Sequence, residues 1–205
     1  MLLIFDLDGT LFKTHSIVEP AIIHACSQLN LTPPNVKMIH SLIGVKANEY
    51  YPSLFPNENK KTIESIVKFV RKFIKKKLPE FGTLYEGIFD GIKLLSKEHV
   101  LAICTNGNED HQNNILNAMG INHFFKYKYP LDGSDKSTRI KKLQKVCTLP
   151  SIMIGDKSHD INAAKEANIQ SIGVLWGYGD KKELEQANFL VHSTSELLNV
   201  INSIK

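Results

Sequence analysis

The sequence predicts an α/β fold class: an open, parallel, Rossmann-like sheet flanked by helices, with a small α-helical cap domain inserted after the first strand. Three observations predict it. From Val100 onward short apolar runs alternate with helical stretches, the pattern of a parallel sheet with crossover helices. A lone apolar run, Met1 to Phe5, is followed by helical patterns alone, so its strand partners must come from later in the chain. Finally, the apolar runs end in residues suited to holding a phosphate or a metal, as expected where an open parallel sheet binds ligands beyond the carboxyl ends of its strands.

The first run leads directly into Asp6-Leu7-Asp8-Gly9-Thr10-Leu11. Strand alternation sends Asp6 and Asp8 off the sheet edge in the same sense, close enough to share one divalent cation. Gly9 supplies the φ freedom of a sharp reversal, and the Thr10 hydroxyl is expected to bond back to the turn. Such a pair can do two jobs: Asp6 can attack phosphorus to give an aspartyl-phosphate, and Asp8 can protonate the departing oxygen and then activate water. Taken alone the pentad also fits a turn whose aspartates cap a helix.

Next, Ala21, Ile22, Ala25, Cys26 and Leu29 recur at helical spacing between Glu19 and Leu31, and Pro33-Pro34 ends that element. A second apolar stretch, Val36 to Ile43, stops at Gly44; Pro52 and Pro56 then bracket an aromatic segment that reads as broken. The longest helix is predicted between Lys60 and Leu78, with Ile63, Ile66, Val67, Val70, Phe73 and Ile74 on one face and Lys68, Lys72, Lys75 and Lys76 on the other. Texture changes after Pro79. Residues 14–80 are therefore expected to form the cap, and residues 1–13 with 81–205 the core. Strands are predicted at Val100–Cys104, Phe124–Tyr129, Ser151–Ile154, Ser171–Trp176 and Phe189–His192.

Each later strand end offers matching chemistry. Val100–Cys104 runs into Thr105-Asn106-Gly107, a hydroxyl, an amide and exposed N–H groups ahead of a helix starting near Glu109. Cys104, at the alternate position, should face the core. Ile152-Met153-Ile154 ends in Gly155-Asp156, and Asp160 follows at the start of a helix, on the same side as Asp156 or as a helix cap. Four clustered acids repel one another unless neutralised, and a bound Mg²⁺ resolves the conflict. Between these strands lies Asp132-Gly133-Ser134-Asp135-Lys136-Ser137, where Lys136 is the candidate for a fixed positive charge among several solvated basic neighbours, Arg139 included.

Composition narrows the function class. At 205 residues, 42% apolar and 22% charged, the chain has globular composition and lacks an apolar run of bilayer length. Cys26, Cys104 and Cys147 are widely spaced and form no C-x-x-C pair, which fits a reducing, cytoplasmic compartment. A net charge of +4 favours small anions but falls short of a nucleic-acid binder, so neither nucleic acid nor membrane is expected as a partner. The eight histidines show no metal spacing and are assigned to surface or core positions. Trp176 is expected to pack a strand end.

The ordered set Asp6-Leu7-Asp8-Gly9-Thr10, Thr105-Asn106, Lys136, and Gly155-Asp156 with Asp160 resembles the haloacid dehalogenase-like (HAD) hydrolase superfamily, in its phosphoglycolate-phosphatase-like branch with a helical cap. The resemblance extends to Gly173-Val174-Leu175-Trp176-Gly177-Tyr178-Gly179. It implies that Asp6 is the nucleophile and Asp8 the general acid and base. Thr105, Asn106 and Lys136 become phosphate binders. Mg²⁺ would be held by Asp6, Asp156 and the Asp8 backbone carbonyl, with Asp160 supporting it directly or through water. The implied substrate is a small phosphorylated metabolite, and Asp8 in particular favours phosphate-ester chemistry. Lys13 departs from the acid that relatives often carry there; it either adds charge near the leaving group or anchors the hinge. A phosphomutase, a nucleotidase and a pyrophosphatase use the same core motifs, and a non-catalytic binding protein is the reading from another class.

Overall fold

The computed structural model describes residues 1–204. Strand β1 (Leu2–Phe5) is followed by four helices, α1 (His15–Leu29), α2 (Val36–Ser41), α3 (Ala47–Leu54) and α4 (Lys60–Phe81). Helix α5 (Ile88–Leu95) leads into β2 (Val100–Cys104), α6 (Glu109–Ala118), a 3₁₀ turn (Asn122–Phe124) and β3 (Phe125–Tyr129). The chain then runs through α7 (Lys136–Val146), β4 (Ser151–Gly155), α8 (Ser158–Glu166), β5 (Gln170–Val174), β6 (Phe189–Val191) and α9 (Thr194–Ser203).

All six strands pair in parallel in the order β3-β2-β1-β4-β5-β6, so the N-terminal run lies at the centre of the sheet, between β2 and β4. Its apolar character follows from that place, because a central parallel strand is covered on both faces. Leu3 and Phe5 pack with Ile88, Ile92, Ile115 and Ile201 of α5, α6 and α9 on one face. Leu2 and Ile4 pack with Ile140, Leu143 and Ala164 of α7 and α8 on the other. Cys104 is buried in that second cluster, as the alternation requires. Chain order reverses at β1 and β4, and ligands of such sheets sit at the strand ends beside that reversal.

The inserted helices pack over those ends. Helix α4 buries Ile66 and Val70 towards Ile17, Ala21 and Ile22 of α1, and leaves Lys68, Lys72, Lys75 and Lys76 exposed. The chain leaves and re-enters the core along adjacent paths: the Lys13 N–H donates to the Thr83 carbonyl at 2.9 Å, the Tyr85 N–H to the Leu11 carbonyl at 3.0 Å, and Phe12 bridges Leu84. Lys13 extends over the Tyr85 ring, its Nζ 5.6 Å from the centroid, so its contacts lie where the two paths run side by side.

The structure departs from the sequence reading at three prolines. Helix α1 starts at His15 and accommodates Pro20, α3 runs through Pro52 where a broken segment is expected, and α4 continues through Pro79 to Phe81. A helix proline removes one hydrogen bond and adds a local clash, about 3 kcal/mol, which packing of Tyr50 and Leu54 around Pro52 and of Leu78 beside Pro79 outweighs. Strand ends also shift: Phe124 belongs to the 3₁₀ turn, and β5 stops at Val174, leaving Trp176 in the loop beyond. No helix among the described residues is long and apolar enough to cross a membrane.

Candidate active site

Three carboxylates converge at the end of the sheet. Asp6 follows β1, Asp156 follows β4, and Asp160 lies in the first turn of α8. All are buried, and one oxygen from each lies within 4.8 Å of the others. Lys136, the first residue of α7, reaches into the cluster, its Nζ 2.8 Å from Asp6 Oδ1 and 2.6 Å from Asp160 Oδ1. Asp160 also accepts the Lys157 N–H at 3.1 Å, so the helix-capping and clustering roles coexist in one side chain. Asp156 is held by the Thr10 hydroxyl at 3.0 Å and the Tyr178 N–H at 2.8 Å. Thr10 therefore bonds across to β4's end instead of back to its own turn.

The second aspartate goes elsewhere. After Phe5 the chain leaves the strand and closes a tight turn in which Leu11 and Phe12 both donate to the Leu7 carbonyl at 3.0 Å, so period-two alternation no longer places Asp8. Gly9, at φ 84°, makes that turn possible; a Cβ there would lie 2.2 Å from Asp156 Oδ2. The Asp8 carboxylate accepts the Thr14 hydroxyl at 2.7 Å and lies 2.8 Å from His111 Nε2, outside the carboxylate triad.

Motif residues at β2's end are set from below. Arg139, fully buried in α7, donates to the Thr105 carbonyl, and its Nη2 donates to Asn106 Oδ1 at 2.9 Å. Asn106 Nδ2 donates to the Gly44 carbonyl of the inserted segment at 3.3 Å, and the Thr105 hydroxyl accepts the Gly107 N–H at 3.1 Å. Across the cleft the Tyr178 hydroxyl accepts the His15 N–H at 2.9 Å, and Trp176 Nε1 donates to the Thr10 carbonyl at 3.0 Å. Trp176 thus packs the end of β1's turn.

Electrostatics follow from burial and crowding. Burial, opposed by Lys136 and assisted by Asp160, raises Asp6 to about 6. Burial, then the negative charges of Asp160 and Asp6, raise Asp156 to about 8. Burial would raise Asp160 too, but His159 and Lys136 outweigh it and hold its carboxyl well below the ordinary range. Burial opposes the charge on Lys136, and Asp160 and Asp6 overcome it, so the ammonium is held more firmly than usual. One carboxyl, Asp156, that keeps its proton through neutrality and a second, Asp6, that keeps it to about 6, beside one locked ammonium, mark a cluster carrying more negative charge than the protein neutralises. A hard divalent cation with oxygen ligands fits that donor set.

Sequence reasoning gathers Asp6, Asp8, Thr105, Asn106, Lys136, Asp156 and Asp160 at one sheet edge; the structure brings together Asp6, Lys136, Asp156 and Asp160, joins Thr105 and Asn106 through Arg139, and sets the Asp8 carboxylate apart on His111. The sequence reading passes over His111 and Arg139. The signal for His111 is its position three residues after Asn108, whose side chain caps α6 by accepting the His111 N–H at 2.9 Å; that first turn faces the strand ends. Arg139 lies three residues along α7 from Lys136, hence on the same helix side.

Residues 3–174 match the family model described as haloacid dehalogenase-like hydrolase. A probable phosphatase, IndB, from Dickeya dadantii is 26% identical, over 99% of this chain and 94% of its own. A phosphoglycolate phosphatase from Agrobacterium fabrum is 29% identical over 90% of this chain and 84% of its own. Among solved structures, a haloacid dehalogenase-like family hydrolase from Streptococcus pneumoniae superposes with a TM-score of 0.85 at 26% identity, covering 98% of this chain and 97% of that one. With nearly the whole chain aligned and the carboxylates at the ends of β1 and β4, the protein belongs to the haloacid dehalogenase-like hydrolases.

Proposed function

We propose that this chain is a Mg²⁺-dependent phosphatase that hydrolyses a small phosphorylated metabolite through a phosphoryl group carried on Asp6. One observation carries the reading: the Lys136 ammonium bridges Asp6 and Asp160 inside a buried triad of carboxylates at the sheet's reversal point. Asp6, Asp156 and Asp160, with the Asp8 carbonyl, are the residues that would hold Mg²⁺. The ion supplies charge neutralisation for a dianionic phosphoryl group brought next to carboxylates.

The chain's own residues divide the remaining work. Lys136 orients the Asp6 carboxylate and offsets charge gathering on the phosphoryl oxygens. The Thr105 hydroxyl and the Asn106 amide supply donors to those oxygens, with the Thr105 carbonyl and the Asn106 side-chain oxygen held by Arg139. Asp6 attacks phosphorus as the ester oxygen departs, and Asp8 gives that oxygen a proton. Asp8 then removes a proton from water as the water oxygen bonds to phosphorus and the Asp6 carboxylate is released. Residues 14–80 act as a cap that covers the reacting centre, with Asp8, Asn106 and Tyr178 among its contacts to the core.

The test is phosphate release from p-nitrophenyl phosphate and a panel of phosphorylated metabolites, with Mg²⁺ or with EDTA, alongside Asp6→Asn. Turnover that requires the metal and vanishes in folded Asp6→Asn is the expected result. Undiminished turnover in that variant would remove Asp6 as nucleophile.

A further inference from the structure

The His111 ring is built into the site with a specificity that the proposed chemistry leaves unused. Its Nε2 lies 3.0 Å from Asp8 Oδ1 and 2.8 Å from Asp8 Oδ2, so one nitrogen addresses both carboxylate oxygens. Thr14 donates to Oδ1 alone, which leaves His111 as the protein donor to Oδ2 among the described residues. Two further features hold the ring there. The His111 backbone is pinned by the Asn108 cap at 2.9 Å. Gly107 lies directly under the ring, where a Cβ would come within 2.4 Å of His111 Cδ2, a separation that non-bonded carbons do not tolerate. A side chain at position 107 would therefore displace the imidazole. The segment 107–111 is thus a matched set: a residue with no Cβ, a cap, and a histidine aimed at Asp8.

We propose that His111 is a positioning residue for Asp8, with Gly107 as the gap that admits its ring, and that the step depending on it is hydrolysis of the phosphorylated Asp6. The inference rests on the phosphatase reading. In that step a water oxygen bonds to phosphorus, the bond from phosphorus to the Asp6 oxygen breaks, and the water proton passes to Asp8. A carboxylate held at both oxygens presents one fixed lone pair to the water; released from His111, it turns about Thr14 and samples unproductive directions. Transfer of the phosphoryl group from p-nitrophenyl phosphate to Asp6 makes no such demand, because p-nitrophenolate departs without a proton.

The two half-reactions therefore separate in a rapid-mixing experiment with p-nitrophenyl phosphate and saturating Mg²⁺. Phosphate release by the native enzyme, and its loss in Asp6→Asn, tests the underlying reading on its own. His111→Ala and Gly107→Ala are each expected to release one equivalent of p-nitrophenolate per enzyme at close to the native rate. Steady turnover should then be lower by up to about a hundredfold, the low end of a general-base contribution. Intact-mass measurement should find the enzyme accumulating one phosphoryl group. A general disturbance of the site would instead slow the burst and the steady phase by the same factor, and either that result or native turnover in both variants overturns the proposal. Should His111→Ala fail to fold, His111→Gln keeps an N–H donor near the same place. Native-like steady turnover in it supports positioning by hydrogen bond, and equal loss of both phases removes it.

Discussion

Arg139 shows how much of this site is built by side chains that touch no substrate. Its guanidinium is fully buried and donates to the Thr105 carbonyl, to Asn106 Oδ1 at 2.9 Å and to the Tyr129 carbonyl at 3.4 Å, so it joins the ends of β2 and β3 at the Thr105–Asn106 turn. Its two terminal nitrogens are hydrogen-bonded while Nε is buried without a partner, and truncating the head leaves three acceptors without donors. Arg139→Met, which keeps the stem and removes the head, is expected to cost about 2–3 kcal/mol of stability, read as a lowered urea midpoint at unchanged slope. It should also raise KM for phosphate esters, since the Thr105–Asn106 turn loses its support; a variant with native midpoint and KM would show that the turn holds itself. The aspartates are legible in the sequence because each follows an apolar run, which fixes its location before any packing is known. Arg139 reads there as one more cation in a basic stretch, since only the pairing of β2 with β3 shows that α7 crosses beneath both strand ends. His111 is obscured for a related reason: its meaning depends on where α6 begins, and a cap residue sets that only to within a turn.

Helices and strands are legible to different depths. The strands come through within a few residues, because a parallel sheet covered on both faces needs uninterrupted apolar runs, and a short run bounded by turn residues is too brief for a core helix. The lengths of α3 and α4 do not, since proline reads as a terminator even where neighbouring apolar side chains secure the helix. Helix α4 nevertheless shows its amphipathic design in both sequence and structure. Ile66 is fully buried towards α1, whereas Lys72 is exposed on the opposite face. Ile66→Ala should therefore cost about 2–4 kcal/mol through lost burial and the cavity left behind, and Lys72→Ala should stay within about 0.5 kcal/mol of the native protein. Chemical denaturation of the pair checks this. Comparable losses in both would mean that the lysine face is covered by something beyond this chain.

At the scale of the whole molecule, the carboxylate cluster couples folding, metal and pH. Asp6 and Asp156 ordinarily titrate at 3.8, and in the folded, metal-free chain they stand at about 6 and about 8. Between these limits the folded state keeps protons that the unfolded chain has already released, so stability falls as pH rises through the window. His111 and His159 are both raised from 6.5, the former by Asp8 and the latter by Asp160 against the opposing effect of burial, and they add to the same trend as pH rises past 6.5. Asp8 and Asp160 are shifted down, so their contribution is gained on leaving the acid range and is level across the window. In EDTA the melting temperature is therefore expected to decline steadily from about pH 5 to about pH 8. A cation among Asp6, Asp156 and Asp160 replaces the retained protons, so binding releases them, and the apparent Mg²⁺ affinity should climb by about tenfold per pH unit between about pH 6 and about pH 8, where Asp156 alone still holds its proton. The stabilisation given by a fixed Mg²⁺ concentration should accordingly be larger at about pH 8 than at about pH 6. Paired thermal melts with EDTA and with Mg²⁺ across that range carry the test. A metal-free melting temperature that rises with pH, or a Mg²⁺ increment independent of pH, would mean that the triad is already neutralised by Lys136 and the histidines around it, leaving no electrostatic reason for it to recruit a cation.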